Sequence, residues 1–302
     1  MGELSTPEVE QCLRGAGLGL GVASFRCWVR SDTGLLASPL RQLYQDYPVD
    51  LTPSGFYDFR INLARTRSLP WKPHEVVFDW EGRSPYPALP LAQAHPLFEW
   101  GLNWCVATAS GGHTVIHSAV VERDGLALVL PGQPGAGKST LCAALALQGW
   151  RLLSDELTIV SQADGLVQAV PRPISLKGDS IALIGQHYPH ADITAPVAGT
   201  HKGHVAYARA PGPAVAASFQ AAPIGHVVFP RFSQGLELAY EPLTRAAALT
   251  ELMKHTFNVG LLGSEGFTAL AHAIGNAKCY AVDYGDLPSI LQWVDATCRP
   301  TH

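Results

Sequence analysis

The alternation of apolar and polar positions along the chain predicts short strands and medium-length helices in mixed order. Runs with a period of two residues, or short apolar runs bounded by turn residues, indicate strands, and apolar residues spaced three and four apart indicate helices. Strand patterns lie at residues 24–29, 56–63, 75–80, 113–121, 126–130, 151–160, 225–232, 236–240 and 279–282. Helix patterns lie at residues 39–47, 91–109, 139–147, 178–188, 244–257, 264–275 and 288–297.

The remaining stretches are typical of turns and loops. Residues 1–20 predict a mobile or weakly helical lead, and residues 189–213, rich in Pro, Gly and His, predict a mobile loop. Gln234-Gly235 predicts a turn between the strands at residues 225–232 and 236–240. The order of elements predicts an α/β protein with an α+β-like mixed sheet, without the regular alternation of a doubly wound fold. We divide it into an N-terminal α+β lobe, residues 1–110, and a second domain, residues 111–302.

Composition and charge narrow the classes of function. Of the 302 residues, 47% are apolar and only 15% are charged, which supplies a substantial core. The net charge of −4 argues against a nucleic-acid partner, because nucleic-acid-binding domains are usually basic. No apolar run reaches the roughly 18 residues of a membrane span, and no signal-peptide pattern is evident. We therefore expect a cytoplasmic protein with no membrane partner.

A glycine-rich segment, residues 132–139, matches the phosphate-loop pattern G-x-x-x-x-G-K-[ST] at every fixed position. An apolar strand pattern precedes it and a helix pattern follows it, as a phosphate-binding loop requires. Glycines let backbone N–H groups converge on an anion, and the helix N-terminus adds a partial positive charge. The residues expected to bind the nucleotide are Gly132, Gln133, Pro134, Gly135, Ala136, Gly137, Lys138, Ser139 and Thr140. The segment predicts ATP as a ligand, with Mg²⁺ held by the hydroxyl of Ser139.

Two adjacent carboxylates, Asp155 and Glu156, interrupt the strand pattern that follows the loop helix. Adjacent residues on a strand point to opposite faces. One carboxylate can therefore support the metal ion while the other faces a nucleophile. Water-splitting nucleotidases also carry acidic residues here, so the pair alone leaves the reaction open.

In combination, these motifs resemble those of the HPr kinase/phosphorylase family, and more closely the stand-alone HPr kinase-related proteins. The resemblance lies in residues 117–122, 132–139 and 152–156, with further similarity at 172–177 and 200–203. It implies a P-loop nucleotide domain related to that of phosphoenolpyruvate carboxykinase. It also implies a kinase that transfers the γ-phosphate of ATP to a serine hydroxyl.

The resemblance assigns roles position by position. Lys138 corresponds to the phosphate-loop lysine, and Ser139 and Glu156 to the groups that hold Mg²⁺. Asp155 corresponds to the catalytic carboxylate that takes the proton from the acceptor serine, and His117 to a histidine near the transferred phosphate. Glu122 matches a further acidic position. Four basic residues are candidate contacts to phosphate or acceptor: Arg172, Lys177, Lys202 and Arg209.

Three features depart from HPr kinase itself. The N-terminal lobe has a different sequence pattern, Asp155-Glu156 replaces an Asp-Asp pair, and the segment after Arg172 differs from the signature of the reverse phosphorolysis reaction. The resemblance covers roughly residues 95–215. It therefore does not extend to HPr as the substrate, to phosphorylase activity or to a hexameric assembly.

Several functions remain open. The favoured one is an ATP- and Mg²⁺-dependent kinase acting on a serine of a protein or peptide, with a small-molecule hydroxyl as the close alternative. A nucleotide-binding regulatory protein whose N-terminal lobe docks a partner is the second, although intact Lys138, Ser139 and Asp155 weigh against it. A simple ATPase ranks last, because no second helicase-like or transporter-like motif is present. A homo-oligomer is compatible with all of them.

Overall fold

The computed structural model describes residues 1–52, 55–66 and 74–298. Within them, the helices are α1 (Thr6–Arg14), α2 (Ala37–Leu43), α3 (Ala94–Ala109), α4 (Lys138–Leu147), α5 (Asp179–His187), α6 (Gly212–Ala216), α7 (Arg245–Lys254), α8 (Val259–Ala273) and α9 (Leu287–Thr297). The strands are β1 (Leu18–Val22), β2 (Phe25–Ser31), β3 (Val49–Asp50), β4 (Phe59–Arg65), β5 (Glu75–Trp80), β6 (Leu89–Pro90), β7 (His113–Arg123), β8 (Leu126–Pro131), β9 (Arg151–Ser154), β10 (Leu157–Ser161), β11 (Val167–Gln168), β12 (Ile174–Lys177), β13 (Val197–Thr200), β14 (Gly203–Ala208), β15 (Ile224–Phe232), β16 (Ala239–Leu243) and β17 (Lys278–Tyr284). The predicted α/β class with mixed sheets is confirmed.

The chain forms two compact units that are not continuous in sequence. The first unit comprises residues up to Ala109 together with Ser175–Gly185 and His190–Arg209. The second comprises Ser110–Ile174, Gln186–Pro189 and the described residues from Ala210 onward.

The first unit is built on a six-stranded sheet in the order β3-β1-β2-β4-β5-β6, in which only the β2–β4 pair among the described strands is parallel. Alternation along β2 shows which face is buried: Cys27 and Val29 are fully buried, whereas Arg26 and Arg30 are exposed. Helix α1 packs against β1 and β2, and α3 packs against β4 and β5. The helices therefore cover the apolar face of this sheet.

The prediction of a mobile loop at residues 189–213 is wrong. This segment contains β13 and β14, which form a small sheet with β12 in the order β12-β14-β13. It also makes specific contacts within the first unit: Gln93 Nε2 donates to the Gly199 carbonyl at 2.9 Å, and the rings of His95 and Tyr207 lie 4.7 Å apart. Both rings are buried. Tertiary contacts from distant residues, which composition does not reveal, order the segment.

The N-terminal helices also differ from their predictions. Residues 1–20 contain a capped helix, because Ser5 Oγ accepts the Glu8 N–H and Glu8 accepts the Ser5 N–H at the start of α1. Helix α2 begins before the predicted Ser38 cap, at an N-cap residue, Leu36, that makes no side-chain capping bond. The capping bonds of α1 are not visible in apolar spacing, whereas α2 begins without a side-chain cap.

The second unit is built on an eight-stranded mixed sheet in the order β11-β10-β7-β8-β15-β17-β16, with β9 paired to β7. One face packs against α7 and α8 through a core that includes Ile116, Val120, Val129, Val160, Val227, Phe229, Leu252 and Leu270. The alternate positions Leu128 and Val228 are also fully buried and point to the opposite face. Helix α4 packs against β7, β8 and β9. The sheet is therefore buried on both faces around the glycine-rich loop.

The turn predicted at Gln234-Gly235 is confirmed, but the two strands that flank it do not pair with each other. Strand β15 pairs in parallel with β8 and with β17, and β16 pairs antiparallel with the other edge of β17. Strand β17 therefore lies between the two strands that this turn joins in the sequence. None of the helices in the described part of the chain combines the length and apolar character that a membrane crossing needs.

The buried histidine of β15 makes stability depend on pH. His226 is 4% exposed, and burial together with the charge of Lys278 lowers its pKa from 6.5 to about 4. Below pH 6.5 the unfolded chain binds a proton that the folded chain does not bind until about pH 4, so the free energy of unfolding should fall across this window. The shift corresponds to a loss on the order of 3 kcal/mol.

We therefore predict that His226→Leu loses less stability than the wild type between pH 7 and pH 4.5. Urea unfolding at the two pH values measures the difference. The control is Gln186→Leu, which replaces an exposed residue that does not titrate and should keep the wild-type pH dependence. Equal pH dependence in His226→Leu and the wild type would contradict the assignment.

Candidate functional site

The glycine-rich loop joins the end of β8 at Pro131 to the first residue of α4, Lys138. Gly135 and Gly137 both have φ of 88°, in the left-handed region that favours glycine. A Cβ added to Gly137 would lie 2.0 Å from the Tyr284 hydroxyl oxygen. Glycine is therefore required at position 137 by both backbone conformation and packing.

The side chain of Lys138 reaches back across the loop, so that its ammonium group contacts the backbone where the loop begins. It is 8% exposed, and its Nζ donates to the carbonyl of Gly132 at 2.5 Å and to that of Gln133 at 3.1 Å. The first N–H groups of α4 have no carbonyl acceptor within the helix. An ammonium group and a helix N-terminus thus meet at one loop, which is the electrostatic arrangement that holds phosphate groups.

The loop is accessible to a ligand. Gln133, Pro134 and Gly135 are exposed, and Ser139 and Thr140 at the start of α4 are half-buried. An anion can therefore approach the loop from solvent while the lysine stem remains packed.

The two predicted carboxylates lie close to this loop, separated from it by a single strand. Strand β9 ends at Ser154 and β10 begins at Leu157, and both pair with β7. Asp155 and Glu156 form the bend between them. On the other side of β7, β8 ends at Pro131. Two strand spacings amount to about 10 Å, which leaves room for a transferred phosphoryl group and its acceptor.

Asp155 is also close to the loop helix. It is 5% exposed, and Cys142 lies one turn beyond Lys138 in α4. Burial, with a further contribution from the Asp155 charge, raises the pKa of the Cys142 thiol. Asp155 is thus a largely buried carboxylate beside α4, whereas Glu156 is half-buried.

His117 lies on β7 at the same edge of the sheet as the loop. Its backbone N–H donates to the His255 carbonyl at 2.7 Å, and the Phe257 N–H donates to the Val115 carbonyl at 2.9 Å. The His117 ring makes an edge contact with the Phe257 ring at 5.6 Å between centroids. Residues 255–257 therefore continue the hydrogen bonding along β7 beyond the end of β8.

The contacts of His255 identify it as a site residue that sequence reasoning missed. It is 8% exposed, and burial lowers its pKa; the charge of Glu251 acts in the opposite direction, and the charges of Lys138 and Lys254 lower the pKa further. Its imidazole is therefore predominantly neutral at pH 7, and it lies near enough to Lys138 to be affected by that charge. The sequence places it only at the end of an amphipathic helix, where nothing in its spacing connects it to the loop.

A second group of missed residues lies on the opposite side of the loop. Strands β15 and β17 run parallel to β8, so their ends at Phe232 and Tyr284 reach the same edge of the sheet. The two rings lie 5.4 Å apart. Arg231 and Asp283, one residue earlier, form a two-pronged ion pair with both N–O distances at 2.7 Å.

The four candidate basic residues fall in different units. Arg172 belongs to the second unit and is 7% exposed, whereas Lys177, Lys202 and Arg209 belong to the first. Lys202 Nζ lies 5.3 Å from the centre of the Trp100 ring.

Arg209 pairs within the first unit with Asp46 at 3.0 Å and with Asp192 at 3.5 Å. Its charge is thus already matched by two carboxylates.

Glu122 lies at the opposite end of β7 from the loop. It pairs with Arg151 at 2.5 Å and accepts the Gly125 N–H at 2.6 Å. It therefore supports the turn between β7 and β8, far along the strand from Asp155.

Within the described residues, no group of three or more His, Cys, Asp and Glu side chains is placed to hold a metal ion. Mg²⁺ commonly binds through one or two protein groups plus substrate phosphates, and Ser139 with Glu156 could supply such groups. A scan against protein-family models finds no match for the chain, and a search among curated proteins finds none either. Function is therefore inferred from the motifs and from this geometry.

The packing of Gly137 against Tyr284 makes a testable prediction. Gly137→Ala and Gly135→Ala carry the same positive φ, but a Cβ at position 135 would meet nothing within 4 Å. We expect Gly137→Ala to lower the free energy of unfolding by roughly 1–3 kcal/mol more than Gly135→Ala, because the added methyl group overlaps the tyrosine hydroxyl. Urea denaturation measures the difference.

Tyr284→Phe should recover part of this loss in the Gly137→Ala background, since it removes the hydroxyl oxygen nearest the methyl group. Equal destabilisation by the two alanine substitutions would show that the loop is not clamped in this way.

Proposed function

We propose that the chain is an ATP- and Mg²⁺-dependent kinase that transfers the γ-phosphate to a hydroxyl, and that the acceptor is a serine of a protein or peptide. We further propose that the second unit is a P-loop nucleotide domain of the HPr kinase and phosphoenolpyruvate carboxykinase type. One observation carries the proposal: a buried carboxylate, Asp155, lies one strand away from a glycine loop spanned by Lys138.

The loop is suited to binding the triphosphate. Phosphoryl transfer needs groups that position the reactants and neutralise developing negative charge. Lys138 and the N-terminus of α4 supply positive charge where the β- and γ-phosphates would lie. Ser139 and Glu156 would hold Mg²⁺, which would neutralise the phosphate oxygens further.

Asp155 is suited to act on the acceptor. In the proposed reaction its carboxylate accepts the proton of the acceptor hydroxyl. The hydroxyl oxygen bonds to the γ-phosphorus as the bond from that phosphorus to the β–γ bridging oxygen breaks, and ADP leaves. The proton is then on Asp155, the phosphoryl group is on the acceptor oxygen, and the leaving group is ADP.

One exposed neighbour, Phe257, and the family resemblance both favour a peptide acceptor. Phe257 is 61% exposed beside His117, so the acceptor side of the site presents an apolar surface. A polypeptide can cover such a surface better than a small polar metabolite can. The resemblance to HPr kinase supports the same choice, because that family phosphorylates a serine.

The proposal predicts that Asp155→Asn retains nucleotide binding and loses transfer. Loss of a general base lowers the rate typically by about 10²–10⁴-fold, while Lys138 and the loop remain unchanged. Transfer from γ-labelled ATP with Mg²⁺ to proteins and metabolites of a cell lysate measures the rate, and calorimetry measures binding. The matched control is Asp124→Asn, at the far turn of β7, where asparagine tolerates the φ of 54°.

We expect the wild type and Asp124→Asn to transfer the label to a discrete protein or peptide. We expect Asp155→Asn to transfer none to it. Label only on a small molecule would replace the peptide acceptor by a metabolite. Tight ATP binding without transfer would instead favour a regulatory nucleotide-binding protein.

A further inference from the structure

We propose that the ring of Phe232 is the platform on which the base of the nucleotide stacks. This inference rests on the proposed kinase function and adds the location of the base to it. The platform stands at the edge where β15 and β17 end, on the side of the loop that faces away from Asp155.

Phe232 lies directly beside the glycine-rich loop. A Cβ on Gly137 would lie 3.3 Å from the Cβ of Phe232, so the phenyl ring begins directly beside the residue that precedes α4. A nucleotide whose phosphates occupy the loop must pass this ring if its nucleoside extends over the ends of β15 and β17.

The position of Asp155 determines the direction in which a bound triphosphate would run across the loop. Strand β8, which leads into the loop, has β7 on one side and β15 on the other. Asp155 lies on the β7 side, so the transferable γ-phosphate must face that side. The nucleoside is at the opposite end of the triphosphate chain and therefore leaves toward β15 and β17.

The Phe232 ring is partly exposed and is supported by a buried neighbour. Phe232 is 45% exposed, while the Tyr284 ring that backs it at 5.4 Å is 3% exposed. Neighbouring residues on a strand point to opposite faces, so Arg231 and Asp283 lie on the other side of the strands. The phenyl ring is thus held from behind and open in front, as a stacking platform requires.

The test compares two ligands that share the phosphates and differ in the base. Calorimetry measures the binding of Mg²⁺-ATP and of Mg²⁺-tripolyphosphate to the full chain. Phe232→Ala should weaken ATP binding by about five- to a hundredfold, the range that one base–aromatic stack provides, and leave tripolyphosphate binding unchanged. Lys138→Ala should weaken both.

Two further variants separate stacking from packing. Phe232→Leu keeps an apolar side chain without an aromatic face and should behave like Phe232→Ala, whereas Phe232→Trp should retain ATP affinity. The control is Phe219→Ala, which removes a ring that is 79% exposed ahead of β15, at the end of that strand opposite the loop. It should bind both ligands as the wild type does.

The outcomes distinguish this inference from the function on which it rests. Equal loss of both ligands with Phe232→Ala, or wild-type ATP affinity with Phe232→Leu, would overturn the platform alone. Wild-type protein that binds tripolyphosphate as tightly as ATP would also overturn it and leave the phosphate site standing. Binding of neither ligand by the wild type would overturn both proposals.

Discussion

Strand β7 is the constraint on which the candidate site depends. It pairs with β8 on one side and with β9 and β10 on the other, and residues 255–257 hydrogen-bond to it beyond the end of β8. These partners come from separate segments distributed between residues 126 and 257. Their backbone bonds to one strand place the loop, Asp155 and His255 at one edge of the sheet. Backbone pairing within the sheet thus positions the candidate site residues. Their side chains meet at the site when each strand pairs with β7 in the correct register.

The loop and its neighbouring strands could be predicted because their signals are local. Strand β8 begins at its predicted first residue, Leu126, and α4 begins within one residue of its predicted start. The turn at Gln234-Gly235 is a local signal too, but the separation of its flanking strands is not, because the strand that lies between β15 and β16 follows some forty residues later. His255 and Phe232 were missed for the same reason: each is an ordinary residue at the end of an element. Only the sheet topology brings them to the loop.

The proposed kinase would divide its functions between the two sides of β8. On the β7 side are Asp155, His117 and His255, a carboxylate and two histidines suited to proton transfer and to polar contacts with an acceptor. On the β15 side are Phe232 and Tyr284, apolar rings suited to a base. Lys138 lies between them and would supply the positive charge that bound phosphates require. A linear donor such as ATP matches this order, with its reactive end toward the carboxylate and its base toward the rings.

The most direct test of the proposed function is a crystal structure of the protein with Mn²⁺ and a non-hydrolysable ATP analogue. The account predicts that the β- and γ-phosphates lie over residues 132–139, that anomalous scattering places Mn²⁺ on Ser139 Oγ, and that the γ-phosphate faces Asp155. A nucleotide bound elsewhere, or one whose γ-phosphate points toward Tyr284, would contradict the central claim.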